Sequence, residues 1–246
     1  MTELADSIVL ITGGSAGIGR ALADLMSARN QVIVTGRGQQ ALDAATGENA
    51  ALTAIRSDTA KAEDRHMLRE TLQARFGRLD ILVNNAGIQT CPDFAGPVDQ
   101  AEIEREIATN FTGPVLLTAE LMPLIKAGSA PMIVNVSSGL AFAPKQAAPV
   151  YGATKAALRS FSTALRYQLE DEGIHVACVY PPIVRTAMTE GRNEGAMTAE
   201  EAARQILDGM ERQAKDIYLG RARLLPLMMR LAPGFVHRQL RGIGMD

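Results

Sequence analysis

Tryptophan is missing from this 246-residue sequence, and cysteine and histidine are scarce, with two and three residues. Cys91 and Cys178 have no Cys-x-x-Cys spacing, which excludes a disulfide framework and a zinc knuckle. His66, His175 and His237 stand far apart and in no ligand-spacing motif, so no metal site is expected. So little cysteine suits a reducing, cytoplasmic setting. Long apolar runs are missing as well: none approaches the ~20 residues that cross a bilayer, so no integral membrane segment is expected. The first seven residues carry acids and no apolar core, unlike a signal peptide. Neither sign of charge dominates. A net charge of -2 speaks against a polyanionic partner such as a nucleic acid.

What is present is ordinary globular material. Hydrophobic residues make up 47%, enough to bury a sizeable core in one α/β domain. Short β-branched runs alternate with longer helical patterns. Strands are expected at residues 8–11, 32–34, 52–55, 79–83, 132–136, 175–180 and 216–219. Helices are expected at 18–29, 61–76, 98–126 with a bend near Pro114, 151–172, and up to about residue 213. Neither a fixed-period repeat nor a low-complexity linker interrupts the alternation. That pattern predicts a doubly wound, mostly parallel sheet of about seven strands with helices on both faces, a Rossmann-type fold in a single domain spanning 1–246. Its core would run over about 7–220, followed by a helical tail over 221–246. Ligands in such folds sit beyond the carboxyl ends of the strands, where the motifs below fall.

The first strand runs into Thr12-Gly13-Gly14-Ser15-Ala16-Gly17-Ile18-Gly19. A strand, a glycine-rich turn and a helix start can cradle a diphosphate, because glycines let the backbone approach and the helix amides face the anion. Tyr151 and Lys155 stand four residues apart at a helix start, on one helix face. A free tyrosine is a poor base at neutral pH, and a nearby ammonium favours its phenolate. Val134-Asn135-Val136-Ser137-Ser138 ends a strand thirteen residues before Tyr151. A serine hydroxyl there could polarise a substrate oxygen.

The Thr-Gly-x-x-x-Gly-x-Gly spacing resembles the nucleotide motif of the short-chain dehydrogenase/reductase family. Asn84-Asn85-Ala86-Gly87 resembles the motif that in this family braces the central sheet and faces the cofactor's adenine-ribose side. Asp58 matches the family's adenine-contacting aspartate, with a strand-end turn residue as the lesser alternative. The resemblance selects Ser138 over Ser137 and adds Asn110, the family's asparagine that shapes a helix kink and holds a water of the proton relay. It therefore implies Asn110, Ser138, Tyr151 and Lys155 as catalytic residues. As cofactor-binding residues it implies Gly13, Ser15, Gly17, Ile18, Gly19, Arg37, Asp58, Asn85, Ala86, Gly87, Tyr151, Lys155, Pro181, Ile183 and Thr186. The activity implied is hydride transfer between a nicotinamide cofactor and a small carbonyl or alcohol. The family usually forms homodimers or homotetramers, and the resemblance extends over roughly residues 7–220.

Cofactor choice turns on the end of the second strand, Val34-Thr35-Gly36-Arg37. No acid is present to bond a ribose 2′-hydroxyl. Arg37 offers a fork of donors to a 2′-phosphate, so NADP(H) is favoured, with NAD(H) the alternative if Arg37 is only a solvated charge. Arg20 either assists or lies on the helix surface. One departure stands out: Pro182 replaces the glycine of the family's Pro-Gly, stiffening the loop that leads to Thr186. Tyr180-Pro181-Pro182 resembles a bacterial subgroup called DltE-like. Specificity should reside in the loops at 88–97, 139–150 and 187–197, which carry Phe94, Leu140, Phe142 and Met188. The tail, rich in Leu, Met and Arg, reads as two short helices broken near Pro233, serving packing or subunit contact rather than a membrane surface. Three rival readings stay open, the first two being a non-catalytic, redox-sensing NAD(P)-binding protein and an isomerase or dehydratase of the extended branch. A bare scaffold of the same fold is the third.

Overall fold

Residues 4–190 and 195–242 are described by a computed structural model. The start of the signal-peptide reading, residues 191–194 of the third specificity loop and the last four residues of the tail lie outside them. In chain order the elements are β1 (Ile8–Thr12), α1 (Gly17–Met26), β2 (Gln31–Gly36), α2 (Gln39–Glu48), β3 (Leu52–Arg56), α3 (Ala62–Phe76) and β4 (Ile81–Asn84). The second half runs α4 (Gln100–Ile107), α5 (Gly113–Lys126), β5 (Met132–Val136), α6 (Pro149–Leu169), β6 (His175–Tyr180), α7 (Ala199–Glu211) and β7 (Asp216–Tyr218). The tail follows as α8 (Leu225–Leu231) and α9 (Pro233–Arg241). The seven strands form one sheet in the order β3-β2-β1-β4-β5-β6-β7, with every pairing parallel.

Alternate side chains along each strand feed opposite cores. Val9 and Ile11 of β1 join Leu22, Met26, Ile206 and Met210 from α1 and α7. Ile8 and Leu10 join Leu72, Leu121 and Leu165 from α3, α5 and α6. A sheet covered on both faces needs strands that are apolar at every position, and β1 is buried at all five.

One row of polar side chains crosses this apolar layer. The Asn84 amide donates to Asn135 Oδ1 at 2.8 Å and to Thr118 Oγ1 at 3.1 Å. Asn135 in turn donates to Ser162 Oγ at 2.9 Å, and Ser162 donates to the Leu158 carbonyl at 2.7 Å. At the opposite, amino-terminal edge of the sheet, the Asp80 carboxylate takes N–H bonds from Ile8 (2.7 Å) and Ser129 (2.8 Å), with the Ser129 hydroxyl and Arg78 Nε completing the set.

The helix expected over 98–126 is interrupted by a π-helical turn at Ala108–Thr112, where the Gly113 N–H reaches back five residues to the Ala108 carbonyl. Two residues cause the break. Pro114 has no N–H to return to Asn110. Gly113 passes so close to Thr59 that a Cβ would lie 2.9 Å from its carbonyl oxygen and from that of Ala108. The bend thus centres on Asn110 rather than on Pro114 itself.

Candidate active site

The carboxyl ends of β1 to β6 open onto a cleft of about 440 Å³. Its first wall is the glycine turn. Gly13 and Gly17 adopt φ of 64° and 56°, values that L side chains rarely take. A Cβ on Gly13 would lie 2.9 Å from Ala86 Cα, and one on Gly19 would lie 2.4 Å from the Asn85 amide. Gly19 therefore serves close packing and does not line the cleft. α1 starts with no side-chain cap and no acid in its first turn, so its amides and partial positive charge are left for an anion. Asn85 braces this turn: its amide donates to the carbonyls of Thr12 (2.9 Å) and Gly13 (3.2 Å). The Thr12 hydroxyl accepts the N–H groups of Asn85 and Ala86, both at 3.0 Å. The motif residues of β1 and β4 thus hold one another in place.

Ser15, Ile18, Arg37, Asp58, Ala86, Gly87, Pro181 and Thr186 all line the same cleft, as expected. Ile183 does not; its side chain is 37% exposed and its carbonyl accepts from the Met197 N–H. Arg37 is exposed at the rim, with no acidic partner among the described residues. Arg20 is engaged elsewhere, with Asp24 at 2.8 Å and Glu48 at 3.1 Å. Asp58 plays both roles considered for it, since it lines the cleft and also accepts the Ala60 N–H in a turn. Thr35 and Thr109, which sequence reasoning did not place here, line the cleft with hydroxyls that are buried and have no partner among the described residues. A diphosphate and two riboses, bringing acceptors and hydroxyls to a glycine cradle with unsatisfied donors, fit what these residues offer.

Tyr151, Ser138 and Lys155 line the far end. α6 begins with Pro149 at its first turn, where a missing N–H costs nothing, and this sets Tyr151 and Lys155 on its opening turns. Lys155 is 4% exposed; its Nζ donates to the Val136 carbonyl at 2.9 Å and lies 5.6 Å from the Tyr151 ring centre. Burial pushes its ammonium down to about 8, against the opposing pull of Cys178 and Glu106. The two serines differ. Ser137 Oγ donates to the Lys155 carbonyl at 2.8 Å, so its proton is spent. Ser138 Oγ accepts from the Leu140 N–H at 3.2 Å, which leaves its proton to be given.

Asn110 is fully buried and does not line the cleft. Its side chain clamps Ile88, taking the N–H and giving to the carbonyl at 2.8 Å each, and reaches Thr154 Oγ1 at 3.3 Å. Of the expected specificity residues, only Met188 lines the main cleft. Phe142 instead packs on Tyr180 at 5.1 Å and Tyr218 at 6.0 Å, with Arg159 over its face at 4.3 Å. Phe94 is 62% exposed, and Leu140 lines a separate groove.

A parallel sheet in this order, with a glycine cradle at β1 and a serine, tyrosine and lysine gathered at β5 and α6, defines a nicotinamide-linked oxidoreductase. The family model described as short chain dehydrogenase matches residues 7–196. The chain belongs to the short-chain dehydrogenase/reductase family. It is 38% identical over 223 residues to the uncharacterised oxidoreductase DltE of Bacillus subtilis, covering 87% of this chain and 88% of that one. It is 34% identical over 215 residues to sulfoacetaldehyde reductase 2 of Chromohalobacter salexigens, covering 85% and 84%. Among solved structures, a short-chain dehydrogenase from Sphingobium yanoikuyae in complex with NADPH is similar at a TM-score of 0.79 and 28% identity, covering 96% of each chain. No helix among the described residues is long and apolar enough to cross a membrane.

Proposed function

We propose that the chain interconverts a small carbonyl compound and its alcohol with NADP(H), using Tyr151 as the proton-transferring residue. One observation carries this reading: a tyrosine, a buried lysine and a serine with a free proton share one end of a cleft whose other end is a glycine cradle.

A bound nicotinamide cofactor supplies the hydride in reduction and accepts it in oxidation. The protein's part is position and protons. The Ser138 hydroxyl donates to the carbonyl oxygen and stabilises the charge that builds there. Tyr151 gives its proton to that oxygen in reduction and takes it back in oxidation. The Lys155 ammonium beside the Tyr151 ring favours the phenolate and makes this exchange feasible near neutral pH. Asn110 acts at one remove, by fixing Ile88 and Thr154 around the site. Arg37 at the rim suits the 2′-phosphate, since a guanidinium matches phosphate geometry and nothing acidic competes for it. The NADPH complex of the Sphingobium relative agrees with that choice. The aldehyde reductase among the relatives makes short polar aldehydes the first substrates to try.

The test is a fluorescence titration with NADPH and NADH, followed by turnover on a panel of short aldehydes, including sulfoacetaldehyde. Arg37→Ala should weaken NADPH roughly tenfold to hundredfold, the worth of a charge-assisted contact, and leave NADH unchanged. Tyr151→Phe should lower kcat by roughly 10²- to 10⁴-fold and still bind cofactor. Equal binding of the two cofactors by the wild type would remove Arg37 from the site. Full turnover by Tyr151→Phe would end the proposed mechanism.

A further inference from the structure

Glu106 closes α4 as a carboxylate that is 0% exposed. Acids are almost never buried so completely without a partner. Both of its contacts come from Thr90: the backbone N–H donates to Oε1 at 3.2 Å, and the hydroxyl donates to Oε2. An N–H on one oxygen and a hydroxyl on the other are contacts that an ionised carboxylate can accept in full. It forms no ion pair among the described residues. A buried charge in that position calls for an opposite charge nearby.

Lys155 lies on α6, which packs against α4. Asn110 stands one helical turn beyond Glu106, and Gly87 lies between Asn110 and the lysine. A Cβ on Gly87 would meet Asn110 Oδ1 at 3.3 Å and Lys155 Nζ at 3.5 Å. Glu106 from α4 and Cys178 from β6 act on Lys155 through their charge, and the Tyr151 ring of its own helix lies beside it. Cys178 and Glu106 both favour the ammonium. Burial, however, pushes the Cys178 thiol up, so it keeps its proton and carries no charge in the neutral range. Of these three neighbours, Glu106 is the anion.

We propose that Glu106 is a positioning residue: the buried counter-charge that keeps Lys155 an ammonium beside Tyr151, while tying the loop after Gly87 to α4 through Thr90. Its catalytic consequence rests on the reading of Tyr151 and Lys155 given above; the charge coupling itself does not. Without this anion, the Tyr151–Lys155 pair loses its first proton at lower pH, since any nearby negative charge raises the proton affinity of both members.

The direct test follows Lys155 by NMR in protein labelled at the lysine ε-carbon, which is tractable because the chain has five lysines. The Lys155 signal is assigned by its loss in Lys155→Met. In Glu106→Gln the Lys155 titration should move to lower pH by about one unit, as expected for removing one opposite charge at an effective dielectric near 20. Glu106→Met, which buries no amide, serves if the glutamine variant fails to fold. Thr90→Val removes the hydroxyl contact and keeps the charge, so Lys155 should titrate there as in the wild type. An unmoved Lys155 in the charge-free variants would overturn the proposal. So would an equal shift in Thr90→Val, which would make the effect one of loop packing. Because this measurement needs neither substrate nor cofactor, it answers even if Tyr151→Phe proves fully active and the functional reading falls.

Discussion

Ser137 and Ser138 are adjacent in sequence, and their hydroxyls do different work. Ser137 gives its proton to the Lys155 carbonyl, joining the end of β5 to α6. Ser138 accepts from Leu140 and faces the cleft with a proton to spare. Alanine at 138 should lower kcat by roughly 10²-fold, as loss of one oxyanion donor does, and leave thermal stability unchanged. Alanine at 137 should cost about 1 kcal/mol of stability, with its effect on turnover limited to what a shifted Lys155 causes. Paired kinetics and urea melts decide it: a larger kcat loss at 137 would reverse the assignment. The choice between these serines came from resemblance, because nothing in two neighbouring serines says which proton is free. Thr35, Thr109 and Glu106 were illegible for the same reason. Their importance lies in burial beside the cleft, and a single polar letter in a strand or helix carries no sign of that. Arg37 was singled out by its place after the second strand, whereas the role of Arg20 stayed open until Asp24 and Glu48 claimed it.

The elements were legible where one physical signal dominated. β1 is apolar from Ile8 to Ile11 and β5 at all positions but Asn135, and α3 has Glu63 and Asp64 in its first turn and Gly77 in the left-handed region at its end, with φ of 69°. α2 gave no such signal: Leu42 and Ala45 are its buried residues, too few to show a helical period. The interruption at Ala108–Thr112 was foreseen only as a bend, because a π turn depends on how closely Gly113 meets Thr59 across the fold. The amino-terminal edge of the sheet offers an independent test. Asp80 joins the starts of β1 and β4 to the approach to β5, with its side chain fully buried. Burial tends to raise the Asp80 carboxyl, but the bonds from Ile8, Ser129 and Arg78 outweigh that and hold it below the usual carboxylate range. Its stabilisation is therefore complete above the ordinary carboxylate range and is lost as pH falls through the depressed native value. Asp80→Asn should cost about 2 kcal/mol at neutral pH, shrinking in acid, and leave turnover intact because the site lies at the other edge. Urea unfolding across the acid range measures this, and a cost independent of pH would refute it.

For the molecule as a whole, Lys155 links the site to stability. Its native pKa of about 8 lies below the ordinary 10.5, so below pH 8 the fold carries the full cost of a buried ammonium. Between those values the native lysine is neutral while the unfolded one is still charged, so the wild type gains stability as pH rises, by on the order of 3 kcal/mol. Lys155→Met removes that dependence. The stability difference between Lys155→Met and the wild type should therefore move in the wild type's favour between about pH 7 and about pH 10, and a constant gap in urea melts would show that Lys155 titrates alike folded and unfolded. The doubly wound parallel sheet and the cleft at its carboxyl edge were readable from alternation alone, since parallel strands and right-handed crossovers leave few arrangements. The row from Thr118 through Asn84 and Asn135 to Ser162 was not readable, because each member looks like an isolated polar residue in an apolar stretch. That row bears on how the chain reaches its fold. If β4 paired with β5 one position out of step, Asn84 and Asn135 would face apolar neighbours with their amides unpaired, and every side chain of the displaced strand would swap faces. The row thus marks the single register in which Asn84 stands opposite Asn135, and with it the strand ends from which Asn85 and Ser138 reach the cleft.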